Sequence, residues 1–185
     1  MKPPVPENEA ARLETLRQYE ILDTEPEETF NDLTRLAAYI CETPVALISL
    51  VDSDRQWFKA KYGISARETA RDVSFCAHAI LQDGPFIVRD ALDDERFRTS
   101  PLVTSDPYIR FYAGSPLMSP EGFKIGTLCV VDREPRVLEP EQIAALKIIS
   151  NQVITQLELR REIFCLKRAL DKHKQDGDAR SQRTS

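Results

Sequence analysis

Two apolar runs, Phe111–Met118 and Phe123–Val131, flank the turn residues Ser119-Pro120-Glu121-Gly122. This pattern predicts a β-hairpin closed by a four-residue loop. In the second run Phe123, Ile125, Thr127, Cys129 and Val131 share one face, and Lys124, Gly126, Leu128 and Val130 share the other. The strand begins half polar and ends apolar on both faces, which places it centrally in a sheet covered on both sides. Ala113, Gly114 and Gly126 let another group approach that sheet closely.

Upstream, Asn8 is placed to cap a helix carrying Leu13, Leu16 and Ile21, and Asp23-Thr24-Glu25-Pro26 ends it. A second helix is expected from about Glu27 to Cys41, with Phe30, Leu33, Leu36, Ala37 and Ile40 on one face. Strands Val45–Val51 and Gln56–Tyr62 follow on either side of Asp52-Ser53-Asp54-Arg55. In the second of these Phe58, Ala60 and Tyr62 alternate with Trp57, Lys59 and Lys61. Gly63 to Asp72 reads as a polar connection, and Ser74 as the cap of a short helix, Phe75–Gln82. Phe86–Val88 is a short strand, and Asp90–Ile109 reads mainly as loop. Pro140 opens a long helix expected to reach about Lys174, a length of about 50 Å.

That helix divides into two faces. Ile143, Leu146, Ile149, Val153 and Leu157 form a stripe suited to covering the sheet, whereas Leu159, Ile163, Leu166 and Leu170 follow the spacing of a coiled-coil seam. Pairing with a second copy is the simplest way to bury the seam, so a parallel homodimer through the terminal helices is expected. The expected organisation is a disordered N-terminus at 1–8, one domain at 9–160, a helical extension at 161–175 and a disordered tail at 176–185.

Composition narrows the class. A chain of 185 residues with 42% apolar content is expected to build one domain with a substantial core. The net charge is −5, and residues 160–185 carry +4 of it, leaving an acidic body of −9. Such a body argues against nucleic-acid binding, which relies on basic surface to displace counterions. No run approaches the roughly 20 apolar residues that span a bilayer, and the N-terminus lacks the apolar core of a signal peptide. The cysteines Cys41, Cys76, Cys129 and Cys165 show no metal-finger spacing and read as free thiols of a reducing cytoplasm.

Several segments carry a family resemblance. They are Tyr19-Glu20-Ile21-Leu22-Asp23-Thr24, Ile48-Ser49-Leu50-Val51-Asp52, Arg55-Gln56-Trp57-Phe58-Lys59 and Ser74-Phe75-Cys76-Ala77-His78-Ala79-Ile80. Arg96-Phe97, Ser100-Pro101-Leu102-Val103, Ile109-Arg110-Phe111-Tyr112-Ala113-Gly114 and Gly126-Thr127-Leu128-Cys129-Val130-Val131-Asp132 complete the set. The chain resembles the GAF domain, in the branch found with bacterial histidine kinases, diguanylate cyclases and cyclic-di-GMP phosphodiesterases. The resemblance implies an α+β fold, a GAF/PAS-like central antiparallel sheet with flanking N- and C-terminal helices. It further implies a ligand-sized cavity beneath Asp90–Ile109 and the helix Phe75–Gln82, and signalling rather than catalysis. A histidine kinase or a cyclic-di-GMP enzyme is the expected partner. Bilin-binding members place cysteine next to histidine, whereas Ala77 separates Cys76 from His78 here. The Asn-Lys…Phe…Asp-Glu signature of cyclic-nucleotide-binding members is absent after Asp132, and the clustered active-site cysteines of the free methionine sulfoxide reductases are not reproduced.

Candidate ligand-binding residues are Trp57, Phe58, Phe75, Cys76, His78, Asp93, Arg110, Phe111 and Tyr112. The aromatics are able to stack on a planar ligand, though adjacent pairs on a strand face opposite ways. Arg110 suits either an anionic ligand or a charge-assisted pair with the Asp90/Asp93 loop. Cys76 and His78 together suggest a redox- or metal-responsive module as the alternative reading. On a helix, however, residues two apart point in nearly opposite directions, and no second Cys/His pair completes a metal set. No catalytic motif occurs, so neither a catalytic residue nor a metal site is expected.

Overall fold

A computed structural model describes the backbone of residues 1–183 and the side chains of residues 1–172. Helices α1 (Glu9–Gln18) and α2 (Glu28–Cys41) precede strands β1 (Val45–Val51), β2 (Arg55–Tyr62) and β3 (Glu68–Ala70). A 3₁₀ turn (Arg71–Val73) leads into α3 (Phe75–Ala79) and β4 (Phe86–Val88). A single helical turn, α4 (Pro101–Thr104), precedes the hairpin β5 (Phe111–Met118) and β6 (Lys124–Asp132), and α5 (Pro140–Arg183) ends the chain. The six strands form one antiparallel sheet in the order β3-β2-β1-β6-β5-β4. The sequence-based expectation of a frayed tail at 176–185 falls on side chains outside the described residues.

The sheet separates two cores. On one face α1, α2 and α5 supply Leu16, Phe30, Ala37, Cys41, Leu146, Ile149, Val153 and Leu157, which pack on Ile48, Leu50, Phe111, Ile125, Leu128 and Val130. The other face carries Leu47, Val51, Phe58, Tyr112, Cys129 and Val131 beneath α3 and the loop that follows β4. Strand β6, paired with β1 and β5, is therefore buried on both faces. A Cβ at Gly126 would lie 2.1 Å from the Ser49 carbonyl oxygen and 3.0 Å from Leu50 Cα. The neighbouring backbone of β1 thus demands glycine there.

Strand parity departs from the simple alternation in two places. In β2, Ser49 pairs with Phe58 and Ile48 with Ala60, so Lys59 is the extra residue of a bulge. Phe58 consequently faces the lid side while Trp57 and Ala60 both face the helices. A second irregularity opposite Leu117/Met118 lets Ile125 and Leu128 share the helix face, where plain alternation separates them. The polar connection 63–72 contains the edge strand β3, and the short helix ends at Ala79 rather than Gln82.

The N-terminal segment is fixed by charge rather than by a cap. Asn8 occupies the cap position of α1, but its side chain makes no capping bond. Instead the buried Arg12 donates to the Val51 carbonyl at 2.7 Å and grips Glu9 with both Nε and Nη2. Arg71 binds the same carboxylate at 2.5 Å and the Asp52 carbonyl at 2.9 Å. Residues 1–8 lie along the lid side: Pro3 is buried, the Met1 ammonium donates to the Arg96 carbonyl, and Lys2 pairs with Asp72.

Two predictions follow from this packing. Gly126→Ala forces a methyl into the β1 backbone and is expected to lower stability by about 1–3 kcal/mol, read from the urea midpoint. Burial pushes the Glu9 carboxyl up, but Arg12 and Arg71 outweigh it and hold it down to about 2. A carboxylate with a lowered folded-state pKa stabilises above its unfolded value. That contribution is lost as pH falls from about 4.5 toward about 2. Urea midpoints against pH are expected to show a shallower acid loss for Glu9→Gln than for the native chain.

Candidate functional site

The lid-side core is where chemistry-bearing residues collect. Alternation along β5 turns Tyr112 toward the lid, and Gly114, two residues on, leaves room for its ring. A Cβ at Gly114 would lie 2.3 Å from the phenol oxygen. The Tyr112 hydroxyl donates to Cys76 Sγ at 3.4 Å and lies 3.4 Å from Thr127 Oγ1. Cys76 is carried there by α3, whose first turn is capped by Ser74 Oγ accepting from Ala77 N at 3.1 Å. Its sulfur lies 3.8 Å from that of Cys129 on β6. Ser49, which faces Thr127 across the β1–β6 ladder, is completely buried, and its hydroxyl has no partner among the described residues.

These groups shape the two thiols differently. Burial pushes the Cys76 thiol up, but the Cys129 thiol and the surrounding hydroxyls of Thr127, Tyr112 and Ser49, which favour a charge on that sulfur, outweigh it, so its pKa is lowered. Cys129 is driven well above the ordinary thiol range, first by its hydrogen bond with Cys76 and then by burial. The two thiols titrate as a pair, with the first ionisation eased on the Cys76 side and the second opposed. Cys41 provides the contrast on the helix side: burial alone raises it to about 11.

The space under the lid is filled by side chains, which corrects the expectation of a ligand-sized cavity there. Phe97, from the lid loop, stacks on Phe75 with ring centroids 4.0 Å apart, and Phe75 stacks on Tyr112 at 5.2 Å. Phe86 closes the cluster beside Phe97 and Tyr112. The larger hollows lie elsewhere. One of about 1010 Å³ runs along the outer edge of β2, between the α1–α2 connection and Arg67–Glu68. Another of about 850 Å³ lies at the end of α2, beside Leu36, Tyr39 and Tyr62.

The structure brings some of the candidate residues together and separates others. Phe58, Phe75, Cys76 and Tyr112 share the lid-side core. His78 lies at its margin, edge-on to Phe97 and 3.2 Å from the Met1 carbonyl, with burial lowering its pKa. Cys76 and His78 thus have different neighbours, and among the described residues no cluster of three or more metal-ligating side chains occurs. Trp57 and Phe111 belong to the helix-side core. Asp93 is exposed on the loop, and Arg110 makes a forked pair with Asp90 at 2.8 and 2.5 Å. That pair holds the Asp90 carboxyl below the usual carboxylate range. Ser49, Phe97, Thr127 and Cys129 were outside the candidate set. The signal for Ser49 and Thr127 was polarity inside otherwise apolar runs.

Comparison with known proteins agrees with this architecture. The GAF domain family model matches residues 25–157. Over 160 residues the chain is 44% identical to a cyclic di-GMP phosphodiesterase of Pseudomonas aeruginosa, covering 86% of this chain and 27% of that protein. The chain therefore spans only about a quarter of that relative. Among solved structures, the GAF domain of an Acinetobacter phosphoenolpyruvate-protein phosphotransferase superposes with a TM-score of 0.61 at 16% identity, covering 83% of this chain and 96% of that one. A free methionine-R-sulfoxide reductase from Neisseria meningitidis, in complex with its substrate, gives 0.60 at 16%, covering 86% and 96%. At such identities these likenesses describe the fold alone.

At its ends the lid is tied by the Arg110–Asp90 fork and by the backbone bond from Ala91 N to Arg110 O. Arg110→Ala is expected to speed amide hydrogen exchange across residues 90–109 while leaving β1 and β6 protected. Exchange monitored by mass spectrometry checks this.

Proposed function

The chain belongs to the GAF domain family, and from that membership we propose a sensory or adaptor domain of bacterial signal transduction whose output leaves through α5. The carrying observation is how α5 is held. Its buried stripe ends at Leu157, and a ring of polar contacts then clasps it at the domain edge. Glu158 accepts from the Tyr19 hydroxyl, and Arg160 donates to Glu27 at 3.0 Å and to the Tyr19 and Glu20 carbonyls at 3.1 Å each. Arg161 pairs with Glu158 on its own helix and with Glu121 of the β5–β6 turn. Within and past this ring Leu159, Ile163, Leu166 and Leu170 are 46–65% exposed. In this reading residues 9–160 form the sensing domain and 161–175 the signalling helix.

A helix fixed rigidly to a domain and then left with an exposed apolar seam suits pairing with a second copy. A rearrangement of the lid or sheet would then change the relation of the two helices, and a partner would read the change. The relative named as a cyclic di-GMP phosphodiesterase supports such an enzyme as the regulated partner, with a histidine kinase as the other candidate. The input is a small ligand or a contacting protein, and a ligand taken up under the lid would have to part Phe97 from Phe75. The site residues supporting this are Phe58, Phe75, Cys76, His78 and Tyr112. The regulatory reading assigns the chain no catalysis of its own, no nucleic acid and a cytoplasmic setting. Among the described residues no helix is long and apolar enough to cross a membrane. The second reading, a redox-responsive module, is favoured by one observation, the meeting of Cys76 with Cys129 rather than with His78.

Native mass spectrometry of the chain is expected to show a dimer. The double substitution Ile163→Glu with Leu166→Glu is expected to give a folded monomer, with circular dichroism unchanged for the domain. A native chain that stays monomeric at concentrations well above the micromolar range would overturn pairing through α5.

A further inference from the structure

Of the two thiols in the lid-side core, the regulatory reading uses Cys76 only as a lining residue and Cys129 not at all. Cys76 and Cys129 are 2% and 0% exposed, and their sulfur atoms face each other at 3.8 Å from α3 and β6. Adjacent buried cysteines alone would be explained by packing. Here, however, hydroxyls surround them. Tyr112 donates to Cys76, Thr127 lies against the same phenol, and Ser49 is buried with an unpartnered hydroxyl where it is able to donate to an ionised Cys76. A buried hydroxyl without a partner is destabilising. A charge that forms on sulfur would recover that cost, whereas a merely packed thiol would not. Cys41, in the other core, has no such surroundings.

We infer that Cys76 and Cys129 form a redox-active dithiol, which closes to a disulfide when the chain meets a peroxide. The Cys76 thiolate attacks one oxygen of hydrogen peroxide. The O–O bond breaks, hydroxide leaves and takes up a proton as water, and Cys76 is left as sulfenic acid. Cys129 gives up its proton and attacks that sulfur, forming the S–S bond and expelling the hydroxyl as a second water. Two thiols lose two electrons and two protons, and the peroxide is reduced to two waters. Two equivalents of a small-molecule thiol restore the pair, the first forming a mixed disulfide and the second displacing it, and they leave as their own disulfide.

The fold gives closure a consequence. The sulfurs must approach from 3.8 Å to about 2.05 Å. That draws the five-residue helix α3 toward β6 and pulls on the Phe75–Phe97 stack that seats the lid. A hollow of about 170 Å³, lined by Met1, Lys2, Asp72, Arg96 and Phe97, opens just outside that stack. The inference deepens the redox-responsive reading and is independent of the regulatory one, since it concerns only whether this pair oxidises in the folded chain.

The test treats the native full-length chain with hydrogen peroxide, blocks remaining thiols with iodoacetamide, and maps tryptic peptides without reduction. The expected product links Asp72–Arg89 to Ile125–Arg133 and disappears with dithiothreitol. Cys76→Ser and Cys129→Ser each abolish it, while Cys41→Ser and Cys165→Ser leave it unchanged. Phe97→Ala is expected to speed its formation several-fold. Oxidation confined to Cys165, or a Cys76 that is modified only after the chain is unfolded in urea, would overturn the inference. So would over-oxidised Cys76 without the linked peptide. The wild-type map alone decides the matter where a serine variant does not fold.

Discussion

Burial of β6 on both faces is the constraint around which the molecule is arranged. A strand in that position satisfies its backbone only through its two neighbours, and every side chain on it must suit one core or the other. Gly126 meets the requirement on the β1 side by giving up its side chain to the Ser49 carbonyl. Leu128 and Val130 meet it on the helix face, Cys129 and Val131 on the lid face. The helix-side core is closed by α2 and α5, whereas the lid side is covered far more lightly. There the covering consists of one short helix and a loop.

Much of this was legible in the chain. The hairpin, the two N-terminal helices, the β1–β2 pair and the helix after Pro140 follow from apolar periodicity with proline and glycine punctuation. Side-chain facing was less legible, since one extra residue reverses it. Lys59 in β2 and the irregularity near Ile125 in β6 are bulges that only pairing reveals. Edge strand β3 is three residues long in a polar stretch and carries no period to detect. The candidate site was half visible for the same reason. Motif resemblance pointed to Phe75, Cys76 and Tyr112, but the partnership of Cys76 with Cys129 spans 53 positions and depends on β6 parity and the placement of α3 together.

The lid-side core also shows why a sensory fold need not keep an open cavity. Three rings stacked from Phe97 through Phe75 to Tyr112 occupy the volume that a planar ligand would fill. Such a stack is apolar, and it ends on hydroxyls and sulfur rather than on solvent. Its outermost member, Phe97, comes from the lid loop and takes no part in the β1–β6 ladder.

The clasp around α5 has an electrostatic implication of its own. Glu27 is shared: it accepts from Lys59 Nζ at 2.6 Å and from Arg160 Nε at 3.0 Å, and the Lys59 side chain has no solvent exposure. Burial already lowers the Lys59 pKa despite its acidic partner, and Arg160 adds to that lowering. The three groups therefore carry one positive charge in excess when α5 is docked. Withdrawing Arg160 leaves a neutral lysine–glutamate pair on the bulge of β2. Arg160 is thus both a second cation bound to Glu27 and a like charge beside a sequestered ammonium, so its loss would weaken one contact of the clasp while easing the burial of Lys59.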